Sequence, residues 1–226
     1  MVELRDITKS FQIGNETTEI LRGISLNINA GEYLGILGTS GSGKSTLMYI
    51  IGLLDTPTSG QVLFDGQDVS QLSDQTISKL RNQMIGFVFQ QFNLINKLTV
   101  MENIMLPTIY SRIKLPYKPL DKAMELMERF GIAHRKNYHP NKISGGEQQR
   151  TAIARALIMN PKIILADEPT GNLDSKTGKE ILDLIGELNQ DLKVTIIVVT
   201  HDPLVAKRTH HQIHIHDGKI KDGLKN

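Results

Sequence analysis

The run GTSGSGKS, residues 38–45, restricts the fold of this chain more than any other stretch. Its spacing is glycine, four residues, then glycine, lysine and serine. An apolar segment, YLGILG, feeds into it, and KSTLMYIIGLL leads out with helical spacing. Strand, glycine turn and helix in that order aim successive backbone N–H groups inward, and the helix adds roughly half a positive charge at its N-terminus. Lys44 adds a full charge, worth ~4 kcal/mol against a phosphate oxygen about 4 Å away at an effective dielectric of about 20. Ser40, Gly41, Ser42, Gly43 and Lys44 therefore read as a phosphate cradle. Ser45 is placed to bind magnesium, and Thr46 to reach the next phosphate along.

The remaining segments suggest what surrounds that cradle. VELRDI and ISLNIN read as strands with a loop, GNETTE, between them. IGFVFQ, KIILAD and VTIIVVT are continuous apolar strands, and SKTGKEILDLIGELNQ is a helix between the last two. HQIHIHDGKIKD reads as a terminal hairpin. Buried strands alternating with helices predict an α/β fold with a mostly parallel sheet covered on both faces. Residues 91–160 differ: they are helical and rich in methionine, and Pro107, Pro116, Pro119 and Pro140 are expected to break them into short helices. They read as a helical subdomain inserted into a core made of residues 1–90 and 161–226.

Composition removes several function classes. Among 226 residues, 26 basic and 24 acidic side chains leave a formal charge of +2, which gives no support to a nucleic-acid partner held by bulk charge. Without cysteine there are no disulfides, no thiol catalysis and no cysteine–zinc sites. The first residues, MVELRDITKSF, lack the apolar core of a signal peptide. No apolar run approaches the ~20 residues that span a bilayer. A cytoplasmic location is expected, with any membrane role exercised through a partner.

IILADEP delivers Asp167 and Glu168 to the carboxyl end of a buried strand, where ligands of open α/β sheets bind. Asp167 is then placed to hold magnesium, usually through water, and Glu168 to deprotonate an attacking water. The plainer alternative is a pair of solvated carboxylates. His201, after TIIVVT, suits a contact to the terminal phosphate and the water, or equally a helix-entry residue satisfied by Asp202. Gln90, at the end of GFVFQ, is either a magnesium-reaching group or an ordinary polar strand end. The histidines His210, His211, His214 and His216 lie close together, with a solvated strand as the default and a metal site as the alternative.

A second glycine-rich helix start occurs at ISGGEQQR, residues 143–150. Ser144 and Glu147 fit a capping box. Gly145 and Gly146 are not needed for a cap and each costs about 1 kcal/mol relative to alanine, so they suggest a backbone that something approaches closely. Residue reasoning leaves open whether this helix start reads a phosphate, and whether that phosphate is the chain's own.

The motifs GTSGSGKST, FVFQ, ISGGEQQR, IILADEP, GNLD and VVTHD stand in the order and spacing of an ATP-binding cassette (ABC) ATPase, which the chain resembles over essentially its whole length. The resemblance implies a P-loop NTPase core, an N-terminal antiparallel β subdomain and an inserted helical subdomain. It implies Mg-ATP as ligand, and two copies of the chain stacked head to tail. Ser144, Gly145, Gly146 and Glu147 would then cap the terminal phosphate held by the other copy. Gln90 corresponds to the lid-loop glutamine and joins Ser45 and Asp167 at magnesium. Asp174, in GNLD, corresponds to the loop crossing the dimer interface, and His201 to the switch histidine. Phe11 falls where an aromatic ring stacks on adenine, with a core phenylalanine as the alternative. Glu147 departs from the commoner glutamine and brings a negative charge near a phosphate.

GFVFQQFNLI, LTVMENIMLP and ADEPTGNLDSKTG resemble the branch that powers macrolide and peptide exporters and lipoprotein-releasing complexes. That implies an integral-membrane permease as partner, a peptide, lipoprotein or drug-like cargo, and a place on the inner face of the membrane. Phe89, Phe92, Leu94, Ile95, Leu98 and Met101 would line a groove for a short permease helix, or else belong to the core. A regulatory cassette that signals through a membrane partner without transport is the alternative function. A soluble cassette of DNA repair or translation would need a coiled-coil insertion or a second cassette, and neither is visible.

Overall fold

In the computed structural model, which describes residues 1–14 and 16–221, the first half carries β1 (Val2–Ile13), β2 (Glu16–Ile28), β3 (Tyr33–Leu37), α1 (Lys44–Ile51), β4 (Ser59–Phe64), β5 (Gln67–Asp68), α2 (Asp74–Met84), β6 (Ile85–Phe89) and α3 (Val100–Ile109). There follow α4 (Pro119–Arg129), α5 (Gly145–Leu157), β7 (Ile163–Asp167), α6 (Ser175–Leu192), β8 (Thr195–Val199), α7 (Pro203–Ala206), β9 (His211–His216) and β10 (Lys219–Lys221). The chain divides into one unit of Met1–Ser78 with Thr195–Asn226 and a second of Lys79–Val194.

In the first unit, β3 is paired on both sides by parallel strands, Tyr33 opposite Ile196 of β8 and Leu34 opposite His211 of β9. All five residues of β3 and of β8 are buried, as expected of strands covered on both faces. β10 adds to β9 as the expected hairpin, turning at Asp217 and Gly218, which both have positive φ. Asp222, the last residue of that expected hairpin, lies outside the described residues. A separate antiparallel sheet has the order β2-β1-β4-β5.

The expected GNETTE loop is almost absent. β1 and β2 continue as a ribbon to the pair Ile13 and Glu16, while Asn15 lies outside the described residues. The outer ribbon is exposed, so it lacks the apolar alternation from which strands are read, and its pairing rests on the backbone ladder.

In the second unit, β6 and β7 are parallel, with Phe89 opposite Asp167. Gln90 and Glu168 therefore leave the sheet side by side. α5 packs on β6 so closely that a Cβ on Gly86 would strike the carbonyl of Ala156. Around this pair, Ile104, Met127, Phe130, Ile153 and Leu157 build the apolar core.

Proline does not divide the helices quite as expected. Pro119 begins α4 and Pro140 opens a short 3-10 turn, but Pro107 lies inside α3. Only two helical residues follow it, so little of the hydrogen-bond ladder is lost, and the Pro107 carbonyl accepts from Asn82 at 3.0 Å.

The loop before α3 is pinned by Asn103, which is fully buried. Its Oδ1 accepts from the Ile95 N–H at 2.8 Å, and its Nδ2 lies 2.9–3.2 Å from the carbonyls of Ile95, Leu98 and Thr99. Asn103→Ala leaves these buried groups without their partner. Urea unfolding should show a loss of about 2–4 kcal/mol; an unchanged midpoint would contradict the pinning role.

Candidate functional site

The phosphate loop follows β3 directly. Gly38 has φ +151°, and a Cβ there would collide with the carbonyl of Ile215 on β9. Gly43 is the N-cap of α1 at φ +104°, and a Cβ would lie 2.8 Å from Leu21. Neither position accepts a side chain, so the turn is held by glycine alone. Lys44 folds back over the loop, 9% exposed, and donates to the Thr39 carbonyl at 2.8 Å. α1 begins without a side-chain cap and without an acidic residue in its first turn. Among the described residues, the N–H groups of Lys44, Ser45 and Thr46 take no backbone acceptor. The Ser42 hydroxyl is buried and unpartnered. An uncapped helix start with a buried lysine fits a polyphosphate. Ser40 and Gly41 form the exposed tip of the loop, and Ser45 and Thr46 are half-buried.

Phe11 is not a core phenylalanine. It stands 42% exposed on β1, with the Lys9 ammonium 4.9 Å from its ring centre. Lys9 is anchored to Asp55 at 2.6 Å and to the Thr56 carbonyl at 2.7 Å. His201 is exposed just after β8, and the Asp202 carboxylate caps α7 through the Leu204 N–H at 2.8 Å.

In the second unit the structure joins several expected residues. Gln90 and Asn172 bond reciprocally, Gln90 Nε2 to Asn172 Oδ1 at 3.3 Å and Asn172 Nδ2 to the Gln90 carbonyl at 2.9 Å. Gln90 thus sits on the loop that carries Asp174. Glu168 has φ +44°, a left-handed conformation that costs a branched or long residue about 1–2 kcal/mol. Two bonds close that turn: Gly171 N–H donates to the Glu168 carbonyl at 3.0 Å, and Gln149 Nε2 donates to the Pro169 carbonyl at 2.5 Å. Gln149 is fully buried on α5. A similar clamp holds the lid loop, where Phe92 and Asn93 both have positive φ. Arg155 of α5 donates to their carbonyls at 2.8 and 2.5 Å, and burial lowers its pKa.

Sequence reasoning missed Gln149, Arg155 and Asn172. Nothing local marks them, because their contacts span 20 to 82 residues.

At α5 the capping box is complete. The Glu147 N–H donates to Ser144 Oγ at 3.3 Å, and Glu147 Oε2 accepts from the Ser144 N–H at 2.8 Å and hydroxyl at 3.0 Å. The two glycines have an internal reason. A Cβ on Gly146 would lie 2.6 Å from the Thr177 methyl, and one on Gly145 would lie 3.3 Å from Leu173. What approaches this backbone closely is therefore the start of α6. An open cavity of about 330 Å³ nevertheless remains, lined by residues that include Ser144, Gly145, Gly146, Asp174 and Thr177. None of its lining residues belongs to the phosphate loop. Asp174 caps α6, and hydrogen bonds from the Thr177 side chain and backbone lower its pKa. Burial pushes Glu147 up, but bonds from Arg135 and Ser144 outweigh it and lower its pKa.

Of the expected groove residues, Met101 is buried and belongs to the core. Ile95 is exposed, and Phe89, Phe92, Leu94 and Leu98 are half-buried. In the histidine cluster, His211 bonds Glu32 at 2.8 Å, His216 bonds Asp217 at 3.1 Å, and the His210 ring sits edge-on to Tyr33.

Residues 21–171 match the family model described as ABC transporter. The macrolide export ATP-binding/permease protein MacB of Bdellovibrio bacteriovorus is 47% identical over 221 residues, 98% of this chain but 33% of that protein. The chain thus spans about a third of such relatives. The uncharacterized ABC transporter ATP-binding protein YvrO of Bacillus subtilis is 48% identical, covering 97% of this chain and 95% of its own length. The ATP-binding cassette MJ0796, solved as a dimer in a post-hydrolysis state bound to ADP and Pi, has a TM-score of 0.90 and 45% identity. That match covers 98% of this chain and 97% of the other.

Gln149→Leu deprives the buried Pro169 carbonyl of its donor. Urea denaturation should show a loss of about 1–3 kcal/mol; no loss would mean that α5 does not hold the Glu168 turn.

Proposed function

The chain belongs to the ABC transporter family, as an ATP-binding cassette of the MacB-like branch, and on that premise we propose that it hydrolyses ATP and, paired with a second copy of itself, drives an integral-membrane permease. The observation that carries the reading is the uncapped start of α1 with Lys44 folded over its glycine loop, a built polyphosphate cradle.

In this reading the phosphates of ATP lie along the backbone N–H groups of residues 41–46, and Lys44 turns from the Thr39 carbonyl to the terminal phosphates. Ser45, Asp167 and Gln90 are the groups that would hold magnesium, which neutralises charge on the phosphate oxygens. Glu168 accepts a proton from water as the water oxygen bonds to the terminal phosphorus. The bond to the bridging oxygen breaks, leaving ADP and phosphate. His201 orients the water and the terminal phosphate. The exposed Phe11 ring stacks on adenine, with Lys9 holding it to one side.

The cavity at α5 supports pairing, because it offers a second anion site with no phosphate-loop residue in its lining. Ser144, Gly145 and Gly146 there receive the terminal phosphate of the partner copy's ATP, and Asp174 stands beside it. Among the described residues, no helix is long and apolar enough to cross a membrane. In this reading the passage belongs to a permease, and the chain works at its cytoplasmic face. The MacB relatives are named for macrolide export and carry ATP-binding and permease in one name, which supports a drug-like cargo, and a peptide or lipoprotein cargo is proposed on the resemblance alone.

Light scattering of a Glu168→Gln variant should show the mass doubling on addition of Mg-ATP, with steady turnover lost. Adding Lys44→Ala should abolish the doubling and weaken ATP binding by roughly a hundredfold, ~3 kcal/mol. Unchanged turnover in Glu168→Gln would remove Glu168 as the base, and undiminished ATP binding without Lys44 would remove the cradle.

A further inference from the structure

Three carboxylates, Glu147, Asp174 and Glu180, line the cavity at the start of α5. A cavity meant for a polyphosphate would be poor with three bare negative charges. Each carboxylate has an internal partner. Asp174 accepts from the N–H groups of Lys176 and Thr177 at 3.1 and 3.0 Å. Glu180 pairs with Arg150 at 3.1 Å. Glu147 divides its oxygens, Oε2 to the Ser144 N–H and hydroxyl, and Oε1 to Arg135 Nε at 2.7 Å. His134 Nε2 lies 3.5 Å from the same Oε1. Arg135 stands outside the cavity lining, in the 3-10 turn Ala133–Arg135, with its guanidinium 4.8 Å from the Tyr138 ring centre.

Glutamine at position 147 would complete the same capping box without a charge. The charge of Glu147 is thus the one feature of this cap that opposes an anion, and Arg135 meets it directly. We propose that Arg135 is a positioning residue for nucleotide-driven pairing: it cancels the Glu147 charge and holds that carboxylate on Ser144, so that the start of α5 keeps its attraction for a phosphate of the second copy's ATP. The inference rests on the reading of α5 as the partner-facing phosphate site. It assigns a role to a residue that touches neither nucleotide nor cavity.

The sign of each substitution follows from electrostatics. Arg135→Gln leaves the Glu147 charge with only the Ser144 donors and the neighbouring His134 against it, and pairing then needs more ATP. Glu147→Gln exposes a bare guanidinium, and pairing needs less. A merely structural ion pair would make both variants worse.

The test uses full-length Glu168→Gln protein as parent. The ATP concentration at half-dimerisation is followed by light scattering with magnesium, at low and high salt. Arg135→Gln should raise the midpoint about tenfold, ~1.4 kcal/mol, and the deficit should shrink with salt. Arg135→Lys should stay near the parent. Glu147→Gln should lower the midpoint, and the double variant Arg135→Gln with Glu147→Gln should return within about twofold of the parent. Thermal unfolding without ATP separates a folding defect from a pairing defect. If Arg135→Gln fails to fold, the direction of the Glu147→Gln shift decides. A raised midpoint in Glu147→Gln, or a double variant as poor as Arg135→Gln, overturns the proposal while the pairing reading stands. A parent that stays monomeric at saturating Mg-ATP overturns both.

Discussion

The contact between α5 and β6 is the constraint on which the second unit depends. Because Gly86 has no side chain, α5 reaches the strand with its Ala156 carbonyl against the glycine. That approach seats the last turn of α5 on the start of β6, and the rest of the helix runs back toward the turns that follow β6 and β7. From there Gln149 reaches the Pro169 carbonyl beyond Glu168, and Arg155 reaches the carbonyls of Phe92 and Asn93 beyond Gln90. One helix thus holds both left-handed turns that follow the two strands. Its N-terminus meanwhile meets α6 through Gly146 and Thr177. A rigid-body shift of α5 would disturb the lid loop, the Glu168 turn and the α5 cavity together.

Two helix starts handle anions by opposite means. α1 leaves its first N–H groups uncapped, has no acidic residue in its first turn and buries a lysine beside them. An uncapped start with a buried lysine beside it suits a polyphosphate. α5 is capped by a serine and a glutamate, and the glutamate is neutralised from behind by Arg135. Its remaining attraction for an anion is weaker, which suits the reversible pairing proposed above. Strain is placed with the same economy. The left-handed Glu168 is a local cost at the assigned base, held by bonds from Gln149 and Gly171.

Some of this was legible in the chain because the physics is local. The phosphate loop, its strand and its helix lie within about twenty residues, and the glycine spacing alone states the turn. The capping box of Ser144 and Glu147 spans three residues, and both halves form as expected. The buried strands β3, β7 and β8 announce themselves as continuous apolar runs, since water is excluded from both faces. The outer part of the β1–β2 ribbon was missed, because an exposed ladder needs no apolar pattern.

The tertiary structure decided what no short segment contains. Gly145 and Gly146 suggest close approach, but only packing shows that Thr177 and Leu173 make it. Phe11 is equally a core residue or a stacking platform on paper, and its exposure excludes the core. Gln90 meets Asn172 across 82 residues, Gln149 meets Pro169 across 20, and Arg135 meets Glu147 across 12. Hydrogen bonds between neighbours follow from spacing and buried strands from their apolar runs, so the sequence by itself determined the phosphate loop, the caps and the buried strands. Bonds between distant side chains exist only once packing brings them within about 3 Å, so the tertiary structure alone decided which residues hold the Glu168 turn and which side chain meets the Glu147 charge.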